Sequence, residues 1–97
     1  QVYAEKHNLG IVKELVGHGI GSEMHEEPDV PNYGKYNTGI ELKTGMTLAI
    51  EPMSTLGKRN VVLHHNGWTV LTEDGLPSAH YENTVALTEN GIVFTTL

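Results

Sequence analysis

Gly45-Met46-Thr47-Leu48-Ala49-Ile50-Glu51-Pro52-Met53 reads as a short apolar strand that ends on an acid and stops at a proline. Strand residues alternate faces, so Thr47, Ala49 and Glu51 share one side and Leu48 and Ile50 the other. Pro52 has no ladder donor and closes the strand. Working outward, residues 81–88 form a second alternating strand, on which Glu82 shares a face with Thr84, Ala86 and Thr88. Asn90-Gly91 then turns into a last strand over residues 92–95. Residues 61–65 and 68–71 flank Asn66-Gly67, the strongest short hairpin signal, with φ > 0 expected at both positions. Asp74-Gly75 marks a further turn. Upstream, residues 1–9 read as the end of an amphipathic helix with Gly10 as its C′ stop. Residues 11–16 read as a short β-branched strand. Residues 22–45 hold Pro28, Pro31, Gly34, Gly39 and Gly45 without a clear period, and read as a long loop. One helix end and five or six mostly antiparallel strands make the class α+β.

Bulk composition bounds the function. The 97 residues suffice for one small domain, and an apolar fraction of 38% is low for a self-sufficient one. The net charge of −6 disfavours a phosphate backbone, so no direct nucleic-acid partner is expected. No apolar run reaches the roughly 20 residues of a membrane span, and no membrane partner is expected. The absence of cysteine excludes disulfides and thiolate metal sites, which fits a reducing compartment. The chain does not start with Met and opens inside a helix, so it is expected to be a piece of a longer one. Six histidines are many for this length, and the chemistry is to be sought among them.

Neither Glu51 nor Glu82 has Lys or Arg on its own strand face. Such a carboxylate is solvated, protonated or bound to metal. Taken singly, each reads as a solvated strand-end acid. His18, between Gly17 and Gly19, reads singly as a core or loop histidine, and His25 as an exposed loop histidine. Glu26 and Glu27 read as a solvated acidic run, and His64 and His65 as surface residues. Taken together, one imidazole and two hard carboxylates suit a first-row divalent ion. Two glutamates can also bridge a pair of ions. Spacing alone does not bring His18, Glu51 and Glu82 together.

Five segments in order carry a resemblance. They are Gly17-His18-Gly19-Ile20-Gly21, His25-Glu26-Glu27-Pro28, residues 45–53 quoted above, Gly67-Trp68-Thr69-Val70, and Ser78-Ala79-His80-Tyr81-Glu82-Asn83-Thr84. The chain resembles the type I methionine aminopeptidases almost from end to end. The resemblance implies the C-terminal half of the pita-bread fold, a mostly antiparallel curved sheet with a flanking helix, over residues 1–97. It implies removal of the N-terminal methionine from nascent proteins by metal-activated hydroxide. His18, Glu51 and Glu82 would be metal ligands, with Glu82 bridging. His25 and Glu51 would be catalytic, and His25, Met24 and Trp68 would bind substrate. Two divalent ions (Co, Mn, Fe or Zn), a peptide or nascent-chain substrate, the ribosome, the cytoplasm and a full-length monomer follow from the same resemblance. Met24 stands where the family commonly has Phe, His80 where it often has Gln, and Asn83 where it often has His. The role of His80 stays open.

The family's site takes two further aspartates and another histidine from the first half of its fold, and those positions lie outside this chain. Residues 1–97 alone are therefore expected to bind at most one ion, weakly, without useful turnover. Two alternatives remain. One is an X-Pro aminopeptidase or prolidase of the same fold. The other is a non-catalytic pita-bread binding module, against which the three retained ligands argue.

Overall fold

The computed structural model describes all 97 residues. Helix α1 spans Val2–Lys6. The strands are β1 Gly10–Ile11, β2 Gly17–Gly19, β3 Glu26–Val30, β4 Thr47–Ile50, β5 Met53–Thr55, β6 Val61–Leu63, β7 Val70–Thr72, β8 Ser78–His80, β9 Asn83–Thr88 and β10 Gly91–Phe94. Every strand pair is antiparallel. Three sheets result, ordered β1-β5-β8, β10-β9-β4-β2-β3 and β6-β7. The count of strands is thus higher than expected, because several are only two or three residues long.

The helix ends earlier than Gly10. The Asn8 N–H bonds the Glu5 carbonyl and the Leu9 N–H bonds the Ala4 carbonyl, both at 3.0 Å. This is the Schellman pattern, with Asn8 at C′ and φ 59°. Asn tolerates the left-handed region that usually calls for Gly. The strand expected over residues 11–16 shrinks to Gly10–Ile11, although the Val12 N–H still reaches the Met53 carbonyl at 3.0 Å.

The expected long loop contains β3. Pro28 spoke against a strand there, but β3 is the edge of its sheet, where a missing N–H leaves no ladder bond unmade. The pairing of β3 with β2 is irregular between His18 and Gly19. Asn66-Gly67 also differs from expectation. Gly67 has φ 76°, but Asn66 does not have positive φ. Instead the Asn66 Oδ1 accepts the N–H groups of Trp68 and Thr69 at 3.0 and 2.9 Å. This Asx-type cap closes a longer loop between β6 and β7.

Leu48, Ala49 and Val85, at the centre of the five-stranded sheet, are 3%, 0% and 3% exposed. Ile50, on the Leu48 face, is already exposed, as are Tyr33, Tyr36 and Ile92. Only eight residues in 97 are buried, so much of the apolar sheet surface has no cover within the chain. The radius of gyration of 14.8 Å agrees, since about 13 Å is usual for a compact domain of this length.

Candidate metal centre

The register of the sheet builds this site. His18 on β2 pairs with Ala49 on β4, and Ala49 pairs with Thr84 on β9. Paired residues project to the same face, so His18, Ala49 and Thr84 form a row across three strands. Glu51 lies two residues beyond Ala49, and Glu82 two residues before Thr84. Both therefore continue on the same side as His18. Ala49 and Thr84 keep the row low, which leaves room above it.

The β4–β9 pairing and the β5–β8 pairing run in one register. They are a single long hairpin interrupted at Glu51-Pro52 and Tyr81-Glu82. Pro52 has no N–H to continue the ladder. Its carbonyl accepts the Tyr81 N–H at 3.2 Å, so the interruption is short. Carried across the gap, the register sets Glu51 opposite Glu82. Glu82 thus precedes β9 rather than lying within a strand as expected. The Asn32 Nδ2 donates to the Glu51 carbonyl at 3.4 Å and ties this strand end to the segment that follows β3.

One ligand atom each from His18, Glu51 and Glu82 lies within 4.8 Å of the other two. Donors about 2.0–2.2 Å from a shared ion sit roughly 3–4 Å apart, so the set is slightly wider than a closed site and near enough to draw in around one cation. The His18 Nε2 is 3.2 Å from the Glu51 Oε1, and the two side chains are 13% and 12% exposed. The His18 Nδ1 lies 2.9 Å from the Gly19 carbonyl oxygen. A carbonyl offers no proton, so Nδ1 carries the hydrogen and donates. In neutral His18 the Nε2 then points a lone pair at a carboxylate oxygen. That arrangement calls for a positive charge between them, and a backbone-anchored imidazole is the usual form of a histidine metal ligand. No Lys or Arg pairs with either glutamate; their ion-pair partners are His18 and His80 alone.

The glycines beside His18 answer to close approach. A Cβ at Gly17 would strike the Ala49 carbonyl, and one at Gly19 would strike the Glu27 carbonyl. These are backbone atoms of both neighbouring strands, so His18 can sit centrally only where its flanks carry no side chain.

Around this centre the other expected residues divide. The His25 ring stacks on the His18 ring at 4.2 Å between centroids, so His25 is at the site, and it is exposed. Met24 and Trp68 are 73% and 87% exposed, and the chain by itself builds no closed pocket from them. Glu26 is not simply solvated: its Oε2 accepts the Glu23 N–H at 3.3 Å and braces the turn before β3. His64 and His65 stack on each other at 3.8 Å beside the β6–β7 loop.

His80 is the residue that sequence reasoning left without a place. Its Nε2 lies 3.3 Å from the Glu51 Oε2 and 4.0 Å from the Glu82 Oε2. Alternation did carry a signal, since His80 and Glu82 are two residues apart on one strand path.

Residues 1–89 match metallopeptidase family M24. The chain is 54% identical over 97 residues to a methionine aminopeptidase of Clostridium acetobutylicum, covering 100% of itself and 39% of that relative. It is 50% identical over 91 residues to methionine aminopeptidase 1 of Bacillus subtilis, covering 94% of itself and 37% of that relative. It superposes on the crystal structure of the Rickettsia prowazekii methionine aminopeptidase with TM-score 0.96 at 44% identity, over 100% of this chain and 40% of that one. For the Thermotoga maritima enzyme the values are 0.95 and 47%, over 99% and 39%. The antiparallel architecture is therefore that of the pita-bread fold, and the chain spans about two fifths of the length of these relatives. With its matched segment running through all three potential ligands, the chain belongs to metallopeptidase family M24.

Proposed function

We propose that residues 1–97 are the C-terminal half of a methionine aminopeptidase catalytic unit, which removes the N-terminal methionine from peptides and nascent chains. The convergence of His18, Glu51 and Glu82 on one face, without a neighbouring Lys or Arg, carries this reading. The length of the relatives and the uncovered apolar sheet surface support packing against a further segment. The donor set of one imidazole and two carboxylates suits Mn, Fe, Co or Zn, and a pair of ions where further carboxylates contribute.

A divalent pair at such a site supplies Lewis-acid activation of water and of the scissile carbonyl. His18, Glu51 and Glu82 would hold it. Glu51 also takes up a proton at a carboxylate oxygen and passes it to the leaving amine. His25, stacked on His18 and open to solvent, offers an imidazole N–H to the carbonyl oxygen as charge develops there. Met24 and Trp68 supply apolar surface for an unbranched side chain once an opposing wall is present. Nascent-chain substrates place the work near the ribosome in the cytoplasm, by a monomer.

Peptide cleavage by the full natural polypeptide containing residues 1–97 tests this. With Mn or Co present, Met-Ala-Ser should lose its methionine, and His18→Ala should abolish turnover. Preference for X-Pro peptides would assign the chain to another activity of the same fold. No metal-dependent cleavage of either would refute the enzymatic reading.

A further inference from the structure

Each carboxylate oxygen of Glu51 faces an imidazole nitrogen. The His18 Nε2 meets Oε1 at 3.2 Å, and the His80 Nε2 meets Oε2 at 3.3 Å. The two imidazoles come from different sheets: His18 from β2, and His80 from the end of β8, where it pairs with Met53. Their jobs cannot be alike. In neutral His18 the proton sits at Nδ1 on the Gly19 carbonyl, so the His18 side of Glu51 presents a lone pair and suits a cation. His80 makes no hydrogen bond through Nδ1, and a neutral His80 is free to carry its proton on Nε2, facing Oε2. The Glu82 Oε2, at 4.0 Å, is beyond hydrogen-bond reach of the same nitrogen, so the distances favour Glu51 as the partner.

From this geometry we infer that His80 is a positioning residue for Glu51. Its Nε2–H donates to Oε2 and leaves Oε1 turned toward His18, where the two together face the cation. The inference rests on the cation site proposed above. A glutamate has three side-chain torsions, and one that is mobile loses rotamer freedom on binding an ion. A carboxylate gripped beforehand loses less, so the grip appears as affinity for the ion and not as a change in the ion's own ligands. His80 is half exposed, so replacing it leaves no cavity and no unpaired buried group.

The experiment is a calorimetric Mn2+ titration of the full natural polypeptide containing residues 1–97, with the visible spectrum of bound Co2+ as a second readout. The His80→Ala variant is expected to bind about tenfold more weakly, as for lost partners of metal ligands, while His80→Gln stays within about threefold of the unmodified protein. The Gln side-chain amide places an N–H close to where the His80 Nε2 stands, so it restores the donor without restoring the imidazole. The Co2+ spectrum should be the same with His80 and with Gln. Affinity unchanged in His80→Ala would overturn the inference. So would a Gln variant as weak as the Ala variant. A Co2+ spectrum altered in His80→Gln would make His80 a ligand and overturn it equally. Failure of the unmodified protein to bind Mn2+ would instead remove the cation site itself, and the role of His80 with it.

Discussion

The centre of the five-stranded sheet and the loops at its rim handle functional side chains differently. His18 hangs from β2 and Glu51 directly follows β4, two strands paired on both sides, with Leu48, Ala49 and Val85 buried beneath or beside them. Met24 and Trp68 stand on exposed loops, each more than two thirds open to solvent. A group that must meet an ion within a few tenths of an ångström needs a backbone that does not move. A group that lines an apolar pocket can wait for its opposing wall. The proposed cation ligands are therefore brought together within the chain, whereas the proposed substrate-lining side chains are not.

Substitutions can break that contrast, starting where the effect is largest. Leu48→Ala, in the core under the row of ligands, should cost about 2–5 kcal/mol in urea unfolding. That is a large share of a small domain's stability, and cation binding should fall with it. His18→Ala separates the site from the scaffold: Mn2+ affinity should fall by more than about 100-fold, while stability without metal shifts by less than about 1 kcal/mol. An equal loss of metal-free stability would make His18 a structural residue instead.

Trp68→Ala tests the rim. An exposed side chain of this kind should change stability by no more than about 0.5 kcal/mol. The kcat/KM for methionyl peptides should drop about tenfold, as for one lost apolar pocket contact. A large stability loss would mean that the loop is already packed in the free protein.

The smallest effect is expected in the turn at Asp74. The Asp74 carboxylate accepts the backbone N–H of Lys58 at 2.8 Å and of Leu76 at 3.1 Å. These two bonds hold its pKa below the ordinary carboxylate value. A group depressed on folding adds stability above its unfolded pKa and loses it as pH falls through the folded one. Unfolding of Asp74→Asn should therefore differ from the parent at neutral pH and converge with it in strong acid. A difference that persists in strong acid would show that the charge is not the cause.

How much was legible beforehand follows the same division. The β4 strand, the β9–β10 hairpin and the β6–β7 pair could be read because apolar alternation and Asn-Gly or Asp-Gly turns are local signals. Strand β3 could not, because Pro28 is a breaker everywhere except at an edge, and edge position is a property of the whole sheet. Strands β5 and β8 could not either; three residues each, they exist because their partners are there. The candidate ligands, which the fold does bring together, were singled out through family motifs and not through spacing. What joins Glu51 to Glu82 is a register carried across Pro52, and no local pattern encodes it. His80 stood out in the sequence, but its role stayed open for the same reason, since it depends on a carboxylate across that gap.

The most direct measurement is anomalous diffraction at the Mn edge from crystals of the full natural polypeptide grown with Mn2+. A peak about 2.0–2.3 Å from the His18 Nε2 and from carboxylate oxygens of both Glu51 and Glu82 is expected. A fully occupied peak elsewhere, or none near the three side chains at saturating Mn2+, would contradict it.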